Sequence, residues 1–466
     1  MQVLIVGAGK LGYKVAEAFA NGDHSVIVID TDEQALERIS LNLDVLTIRG
    51  NAIQTEVLKQ SDPKSIDLAI AVTGSDETNM VICMLVKSLG CRATIARVRN
   101  PEYGRQQEFL KQELSIDYIV NPEFETAKYI SKQLMKGSTV AIEAFAGGKV
   151  GMIELPVKNI PQLGGSRLRE LRIFNSILVA AVSREGEMFI PHGDTILENS
   201  DIIYLFGERA SLNQFLTEHV EQSEKRLLKD VMILGGGRAG FYLAQRLKQQ
   251  GIGVKIIEQD EEQCQYLVEN LQNVLVIHGD GTDSDLLREE NFAKMDALIT
   301  LTGNDEENLL LALLGKQQGI PLVIAKISRS NFIPIIEQLG IDRAVNPVLI
   351  SAGEIIRYVQ GDQIASLALL LDGQAEVVEI IVEEGTGVIG RSLAELELPK
   401  GVIIGAIVRD DQVLIPNGSS EIAAQDRAVV FCLSSHLPIL DKLFYRRKGG
   451  LFHGLWRSSK SSGKRC

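Results

Sequence analysis

The feature that most constrains the fold of this sequence is an internal repeat that spans almost its whole length. One motif after another recurs 225 to 229 residues further along the chain, always in the same order. The recurring pairs are Val3–Gly9 with Val231–Gly237, Asp76–Asn79 with Asp305–Asn308, Val120–Pro122 with Val345–Pro347, and Ile190–Gly193 with Ile415–Gly418. Such a register over 466 residues predicts two copies of one structural module rather than a single core.

The first part of each copy predicts a doubly wound α/β domain. Short β-branched runs alternate with helical patterns, which is typical of parallel strands joined by crossover helices. The predicted strands of the first copy are Val3–Val6, Val26–Ile29, Val45–Ile48, Leu68–Val72, Thr94–Val98 and Tyr118–Val120. Most of these runs are apolar throughout, as expected for strands that helices cover on both faces. We therefore expect two Rossmann-like domains, each with a doubly wound parallel sheet.

The second part of each copy predicts a smaller α+β accessory domain. Its short strands pair across the repeat as Val150–Leu155 with Ala375–Ile380, Ile177–Val182 with Ile403–Val408, and Ile202–Phe206 with Ala428–Cys432. We expect Rossmann-like domains at residues 1–125 and 229–348 and accessory domains at residues 138–220 and 364–446. Residues 447–466 form a basic tail, which is either a solvated terminus or a segment that contacts an anionic membrane surface.

Composition and charge argue against several classes of protein. The net charge of −13 at pH 7 argues against non-specific binding of nucleic acid, which needs a basic face. The sequence has no run of about 18 apolar residues for a membrane span, and its amino terminus has no signal-peptide pattern. The five cysteines are scattered, without the spacing of a zinc or redox site, and we interpret them as reduced packing thiols of a cytoplasmic protein. They are Cys83, Cys91, Cys264, Cys432 and Cys466.

Each copy carries a glycine-rich loop in the context that a dinucleotide site requires. The two loops are Gly7-x-Gly9-x-x-Gly12 and Gly235-x-Gly237-x-x-Gly240. Each follows an apolar strand and opens an amphipathic helix. The first glycine allows a tight turn, the second lets the backbone approach a pyrophosphate, and the third lets the helix pack on the sheet. The helix N-terminus then offers free N–H groups to the anion. The alternative is a tight turn that binds nothing.

A carboxylate and a cation accompany each glycine loop. Asp30 and Glu258 end the second predicted strand of each copy, where they can accept hydrogen bonds from an adenosine ribose diol and would repel a 2′-phosphate. We therefore predict NAD(H) or an adenine nucleotide as ligand rather than NADP(H), with a solvated turn acid as the alternative. Lys10 and Arg238, inside the loops, are either phosphate contacts or exposed surface charges.

Further candidate contacts belong to the fourth and fifth strands, at the carboxyl edge where doubly wound sheets bind ligands. Thr73-Gly74-Ser75-Asp76 and Thr302-Gly303-Asn304-Asp305 follow the fourth strand as candidate ligand contacts, and the alternative is that they are ordinary turn and N-cap residues. Arg97 and Lys326 occupy equivalent places in the fifth strand, where a cation normally needs an anionic partner. We predict that this partner is a phosphate, with an internal salt bridge as the alternative.

No residue pattern predicts catalysis. A dehydrogenase needs a proton donor or acceptor against its substrate. Of the six histidines, only His278 lies near a nucleotide loop, and its first-copy counterpart is Arg49. The sequence has no Ser/His/Asp motif, metal-ligand cluster or Walker-type loop. We therefore expect a nucleotide sensor that biases a partner, and no enzyme.

The sequence resembles the Trk-type potassium-uptake regulators, which are built from domains that regulate potassium conductance. The resemblance rests on Val6–Gly9, Val28–Asp32, Ala71–Asn79, Ile95–Arg97 and Gly401–Arg409, and covers all but the basic tail. It implies a peripheral subunit on the cytoplasmic face of a separate integral-membrane potassium transporter, with NAD(H) and ATP or ADP as competing ligands. It also implies that chains pair, as a homodimer or a larger assembly, to gate that transporter.

The resemblance also implies specific nucleotide contacts, to be added to the loop glycines Gly12 and Gly240. They are Gly7, Ala8, Gly9, Lys10, Leu11, Asp30, Thr73, Gly74 and Arg97 in the first copy, and Gly235, Gly236, Gly237, Arg238, Ala239, Glu258, Thr302 and Lys326 in the second.

Two departures from the family pattern indicate that the two sites differ in ligand preference. The family's Gly-Asp pair after the third strand is Gly50-Asn51 in the first copy but Gly279-Asp280 in the second, and Lys326 replaces an expected arginine. The alternative to a potassium-uptake regulator is a regulator of potassium efflux or antiport, which normally carries one such domain attached to membrane spans. The tandem arrangement disfavours that alternative.

Overall fold

The structure is a computed structural model in which the chain divides into two compact units. It describes residues 1–22, 24–136, 142–160, 162–171, 176–220, 228–329, 339–360, 364–370 and 375–433, and the single residues 332, 336, 436, 440, 443 and 444. The first unit contains Met1–Ser138 and Arg226–Ile355, and the second contains Thr139–Lys225 and Ile356–Cys466. The predicted basic tail and Cys466 lie outside the described residues. Among the helices described, none is both long and apolar enough to cross a bilayer.

The first copy begins with a six-stranded parallel sheet in the order β3-β2-β1-β4-β5-β6, which is the order of the Rossmann fold. Its strands are β1 (Gln2–Val6), β2 (Ser25–Asp30), β3 (Leu46–Arg49), β4 (Leu68–Ala71), β5 (Ala93–Arg97) and β6 (Tyr118–Val120). Its helices are α1 (Lys10–Asn21), α2 (Glu33–Asn42), α3 (Thr55–Lys59), α4 (Asp76–Ser88), α5 (Pro101–Gly104), α6 (Gln107–Glu113) and α7 (Pro122–Lys136). The six predicted strands are confirmed, with ends that differ by no more than one residue.

A five-stranded antiparallel sheet follows in the second unit, in the order β10-β9-β11-β8-β7. Its elements are β7 (Ile142–Phe145), β8 (Val150–Pro156), β9 (Ile177–Arg184), β10 (Glu187–Phe189), β11 (Ile202–Glu208) and the helix α8 (Arg209–His219). One face of this sheet is covered by α8 and the surrounding loops. Alternate side chains of β8 and β11 point to that face and form a core with α8.

The second copy repeats both sheets with the same connections. The parallel sheet, in the order β14-β13-β12-β15-β16-β17, consists of β12 (Asp230–Leu234), β13 (Gly253–Glu258), β14 (Leu275–His278), β15 (Ala297–Thr300), β16 (Leu322–Lys326) and β17 (Arg343–Val345). Its helices are α9 (Arg238–Gln249), α10 (Glu261–Asn270), α11 (Ser284–Glu289), α12 (Asp305–Gln317) and α13 (Pro347–Gln360). The antiparallel sheet, in the order β18-β19-β22-β20-β21, consists of β18 (Ile364–Leu370), β19 (Ala375–Ile381), β20 (Val402–Arg409), β21 (Gln412–Leu414) and β22 (Arg427–Leu433).

Helix α7 joins the two parallel-sheet domains of the first unit. Its apolar positions Ala127, Ile130 and Leu134 fall on one face and are buried in the same core as Phe241 and Leu247 of α9. Burial of a large aliphatic side chain contributes about 1.5–3 kcal/mol, so this contact holds the domains together. The predicted boundaries at residues 125 and 348 fall inside α7 and α13, because both helices run on past the last strand of their sheets.

The two antiparallel sheets of the second unit share one core, in which Phe206 of β11 packs with Phe431 of β22. Glu379 is buried within it, accepting hydrogen bonds from the Ala146 N–H at 2.8 Å and from Arg427 Nη1 at 3.0 Å. A buried carboxylate is tolerated only when paired in this way. The contact therefore fixes the two accessory domains to each other.

Each accessory domain also contains the same two-pronged ion pair. In the first, Arg184 donates from Nε and Nη2 to the two carboxylate oxygens of Asp201, both at 2.8 Å. In the second, Arg409 donates in the same way to Asp426, at 2.9 and 2.7 Å. Both aspartates are almost fully buried, so each depends on its arginine for charge compensation.

Candidate functional site

The first glycine loop has a geometry that requires glycine at two of its three positions. Gly7 has a φ of +111°, and a Cβ atom there would lie 2.9 Å from the carbonyl carbon of Val72. A Cβ atom at Gly12 would lie 1.8 Å from the carbonyl oxygen of Gly7, so only glycine lets α1 pack this close. At Gly9 no atom lies within 4 Å of the Cβ position. The fold therefore needs Gly7 and Gly12, whereas Gly9 leaves open space at the helix N-terminus.

The second loop is built in the same way. Gly235 has a φ of +105°, and a Cβ atom at Gly240 would lie 2.3 Å from the Gly235 carbonyl oxygen. Gly237, like Gly9, has no atom within 4 Å of its Cβ position. The predicted tight turn and close helix packing are thus present in both copies, and both leave the middle glycine open to solvent.

Helices α1 and α9 begin without a side-chain cap. Their N-cap residues are Gly9 and Gly237, their first turns contain no acid, and Lys10 and Arg238 are exposed at the first helical position. By contrast, α2, α4, α10 and α12 have an acid in the first turn and are capped by the side chains of Asp32, Ser75, Asp260 and Asn304. Uncapped N–H groups and the helix dipole attract anions, so both loop helices are suited to hold a phosphate.

The strand-end carboxylates tie the second strand of each sheet to its glycine loop. Asp30 accepts hydrogen bonds from the Ala8 N–H at 2.5 Å and from the Asp32 N–H at 2.9 Å. Glu258 accepts the corresponding bonds from the Gly236 N–H at 2.7 Å and the Asp260 N–H at 3.0 Å. Each carboxylate oxygen has a second lone pair available for a ligand hydroxyl. Both carboxylates hold their glycine loop in place, and their contact with a ribose stays a prediction.

Two buried asparagines position the loops that follow the fourth strands, a role that the sequence reasoning missed. Asn79 Oδ1 accepts hydrogen bonds from the backbone N–H and the hydroxyl of Thr73, both at 2.7 Å, and Nδ2 donates to the Arg97 carbonyl at 2.9 Å. Asn308 accepts from the Thr302 N–H at 2.8 Å. Both asparagines are completely buried inside helices. The recurrence of an asparagine among the mainly apolar buried positions of both helices is the sequence signal for this role.

The cations of the fifth strands point to carbonyl groups of these same loops. Arg97 Nη2 donates to the Thr73 carbonyl oxygen, and Lys326 Nζ donates to the Thr302 carbonyl oxygen. Burial lowers the pKa of Arg97 and that of Lys326. In the described part of the chain no salt bridge is formed by either cation, although the charge of Glu123 acts on both. The phosphate partner stays a prediction.

Glu123 brings a carboxylate to the place where the two parallel-sheet domains meet. It lies in the first turn of α7, and its Oε2 is buried without a hydrogen-bond partner. Burial raises the pKa of Glu123, while the nearby guanidinium groups of Arg99, Arg97 and Arg238 oppose this shift. The charge of Glu123 also acts on Lys326. Cations of both copies therefore act electrostatically on one carboxylate.

Sequence reasoning missed Glu123 because the repeat hides it. Its position in the second copy is occupied by Val348, so no recurring acid marks it. Only the packing of α7 on the second copy brings the carboxylate near Arg238. Arg238 lies more than 100 residues from Glu123 along the chain, so its effect on this carboxylate leaves no local pattern.

A cleft of about 520 Å³, including its open mouth, lies at the carboxyl edge of the second parallel sheet. Five predicted contacts line it, namely Gly235, Gly237, Glu258, Thr302 and Gly303. The lining residues that were not predicted are Leu234, Ile257, Gln259, Gly279, Gly281, Leu301 and Glu307.

The remaining predicted contacts divide into two groups by exposure. Gly74 is exposed beside Thr73, so its backbone is available to a ligand. The residues that support the loops from within are buried or half-buried: Ala8, Leu11 and Gly12 in the first copy, and Gly236, Ala239 and Gly240 in the second. These six shape the loop and present backbone atoms only.

The thiols fit the interpretation as packing groups where the structure describes them. Cys83, Cys91, Cys264 and Cys432 are buried and free. Burial raises the pKa of Cys91 to about 11 and that of Cys432 to about 12, which keeps both in the unreactive thiol form at neutral pH. Among the described residues, no group of three or more His, Cys, Asp or Glu is arranged to hold a metal ion.

Solved structures share the architecture of this chain. The GsuK RCK domain superposes with a TM-score of 0.57 at 20% identity, covering 95% of this chain and 94% of that one. The GsuK channel superposes with a TM-score of 0.58 at 20% identity, covering 94% of this chain and 78% of that one. At this level of identity the likeness concerns the fold alone.

Sequence comparisons identify the family. The model of the TrkA-N domain matches residues 3–122 and 231–347, and that of the TrkA-C domain matches residues 152–218 and 377–445. Trk system potassium uptake protein TrkA homolog 2 of Methanosarcina mazei is 36% identical over 453 residues, covering 95% of this chain and all of the relative. The TrkA protein of Vibrio alginolyticus is 30% identical over 443 residues, covering 93% of this chain and 96% of the relative. The chain therefore belongs to the TrkA family of Trk potassium-uptake proteins, with two TrkA-N and two TrkA-C domains in tandem.

Proposed function

We propose that this chain is a regulatory subunit of potassium uptake that senses nucleotides and gates a separate integral-membrane potassium transporter of the Trk type. The observation that carries the proposal is the pair of uncapped helix N-termini at Gly9 and Gly237, each beside an open glycine position and an exposed cation. The names of the relatives indicate that the transport system concerned is Trk potassium uptake. The contacts of both sites are suited to hold an anion and a ribose, so we assign the chain a sensing role and no enzymatic activity.

Each site would bind a nucleotide along the carboxyl edge of its sheet. The pyrophosphate would lie on the N-terminus of α1 or α9, where the first N–H groups have no side-chain partner. The adenosine ribose would donate its hydroxyls to Asp30 or Glu258. Contacts from the later strands would come from Thr73, Gly74 and Arg97 in the first copy, and from Thr302 and Lys326 in the second.

The same contacts explain why several ligands would compete. NAD(H), ATP and ADP share an adenosine 5′-diphosphate, which is the part that the glycine loop and the strand-end acid would recognise. The three ligands differ in what extends beyond the second phosphate, toward Arg97 or Lys326. Solved GsuK structures are described as bound to NAD and to ADP, which supports the choice of ligands.

Ligand charge would act on the contact between the two parallel-sheet domains. A phosphate beside Arg238, Arg97 or Lys326 takes up cationic charge that otherwise compensates Glu123. Binding would therefore favour a different arrangement of Glu123 and these cations. A transporter that binds one arrangement better than the other would then be gated by the nucleotide.

The proposed location and assembly follow from the same role. The chain would work on the cytoplasmic face of the membrane as a peripheral subunit and would pair with at least one further copy. Its functional domains would be those predicted at residues 1–125, 138–220, 229–348 and 364–446.

A thermal-shift titration of the full chain with NAD, NADH, ATP, ADP and NADP tests nucleotide sensing. A ligand that binds only the folded state raises the unfolding temperature as its concentration increases. We expect a shift with the first four ligands and a much weaker shift with NADP. No shift with any of them would mean that the glycine loops are purely structural. Constant NADH absorbance with candidate substrates would separate a sensor from a dehydrogenase.

A further inference from the structure

The two sites differ in charge beside the strand-end acid. In the parallel register of the first sheet, Arg49 of β3 is the neighbour of Asp30 of β2. In the second sheet, His278 of β14 is the neighbour of Glu258 of β13. Adjacent strands lie about 4.8 Å apart, so each basic side chain stands at the rim where the adenosine ribose would lie. A permanently charged guanidinium in one copy is thus replaced by an imidazole in the other.

The next difference lies two residues further on and changes charge without changing geometry. Asn51 Oδ1 accepts a hydrogen bond from the Ile53 N–H at 3.0 Å. Asp280 Oδ1 accepts the equivalent bond from the Thr282 N–H at 2.8 Å, and a second from the Thr282 hydroxyl at 2.7 Å. These bonds lower the pKa of Asp280, so it is ionised at neutral pH. The same turn is therefore neutral in the first copy and negative in the second.

The arginine of the first site is available to an anion. Arg49 Nη1 lies 2.6 Å from Glu33 Oε2, but the two side chains are 62% and 58% exposed. An ion pair with this exposure contributes at most about 1 kcal/mol, so a phosphate can draw the guanidinium away. His278 Nε2 lies 3.1 Å from the Gln259 carbonyl oxygen, which holds the ring against the loop after β13.

We propose that the two sites discriminate unequally against a phosphate on the adenosine ribose, and that the first site is the more tolerant. This inference rests on the proposed nucleotide-sensing function. Both strand-end acids disfavour a 2′-phosphate, but Arg49 and Asn51 give the first rim two more units of positive charge than His278 and Asp280, with histidine counted as neutral. At about 8 Å from the phosphate and in the high dielectric of an exposed rim, this difference corresponds to about tenfold in relative affinity.

The test measures NAD and NADP affinities one site at a time, by isothermal titration calorimetry on the full chain. Gly237→Glu places a carboxylate in the second site and leaves the first unaltered, and Gly9→Glu does the reverse. Both positions have open space for the new side chain, so the fold should tolerate the changes. We expect the ratio of the NADP to the NAD dissociation constant to be about tenfold larger for the second site than for the first.

Charge-exchange variants then test the residues. Arg49→His with Asn51→Asp should raise the ratio of the first site, and His278→Arg with Asp280→Asn should lower that of the second. Arg92→His is the control for Arg49→His alone, since it removes one positive charge at the opposite, amino edge of the sheet, where Arg92 lies 3.7 Å from Asp67.

The outcomes distinguish this inference from the proposed function. Equal ratios at the two sites, or ratios that do not respond to the exchanges, would overturn the inference while nucleotide sensing stands. A response to Arg92→His as large as that to the exchanges would also overturn it, because the effect would then be one of net charge. Absence of binding by either nucleotide in the unaltered chain would overturn both.

Discussion

Glutamate in place of Gly237 is expected to abolish nucleotide binding at the second site and to leave the fold intact. The backbone at Gly237 has a φ of −60°, which any L-residue adopts, and no atom lies within 4 Å of the Cβ position. A carboxylate at a helix N-terminus is also favoured by the helix dipole, by about 0.3–1 kcal/mol. The free energy of unfolding should therefore change by less than about 1 kcal/mol.

The effect on binding should be far larger. A carboxylate about 4 Å from a phosphate is repelled by about 4 kcal/mol at an effective dielectric constant near 20, which corresponds to a loss of about a thousandfold in affinity. Gly237→Gln has the same size without the charge and should lose much less. Gly9→Glu is the matched change in the first copy, where the φ of Gly9 is −69°.

Calorimetric titration with ADP and urea unfolding give the two quantities. The single variants should each retain one class of site, and the double variant Gly9→Glu with Gly237→Glu should retain none. Unchanged ADP binding by the double variant, with normal urea unfolding, would refute the assignment of phosphate to these helix ends. Loss of stability in the variants would refute the reasoning about open space.

Three further predictions concern stability and are measured by urea unfolding. Gly12→Ala and Gly240→Ala should each destabilise their domain by about 3 kcal/mol, because the new Cβ atom would lie 1.8 or 2.3 Å from a loop carbonyl oxygen; stabilities within 1 kcal/mol of the wild type would contradict the packing argument. Burial raises the pKa of Glu123, so its ionised form is less stable in the folded state and this group costs stability as the pH rises above about 4.3. Glu123→Gln should accordingly match the wild type near pH 4 and exceed it near pH 8, and an equal difference at both pH values would exclude titration as the cause. Arg409→Met should cost about 3 kcal/mol because it leaves the buried carboxyl group of Asp426 without its arginine, and Arg184→Met should do the same to Asp201 in the first accessory domain. Arg167→Met should cost less than about 1 kcal/mol, because its partner Asp194 is exposed.

The local elements could be predicted because their signals are local. Strands such as Val26–Ile29 are apolar in every residue, which only burial on both faces explains, and the structure forms β2 there. Gly7 and Gly12 could be assigned to a tight turn and a close helix contact because no other residue fits those positions. The repeat strengthened each of these predictions, because a pattern in the first copy recurs about 228 residues later in the second.

The supporting side chains of the sites could not be predicted in the same way. Asn79 and Asn308 were visible as repeated residues, but their bonds to the loop after the fourth strand depend on how α4 and α12 lie on their sheets. Gln259 and Glu307 line the cleft only because the ends of β13 and the start of α12 converge at one edge. A sequence gives the spacing of residues along an element, not the distance between two elements.

The two-copy organisation, the Rossmann-like sheets, the glycine loops and the acids beside them could all be predicted, because each depends on residues close together along the chain. The packing of α7 on the second copy, and the influence of Arg238 on Glu123, follow from the tertiary structure alone. The physical reason is that periodicity tells which face of a helix is buried but not against which partner. That choice depends on shape and burial summed over residues far apart in sequence.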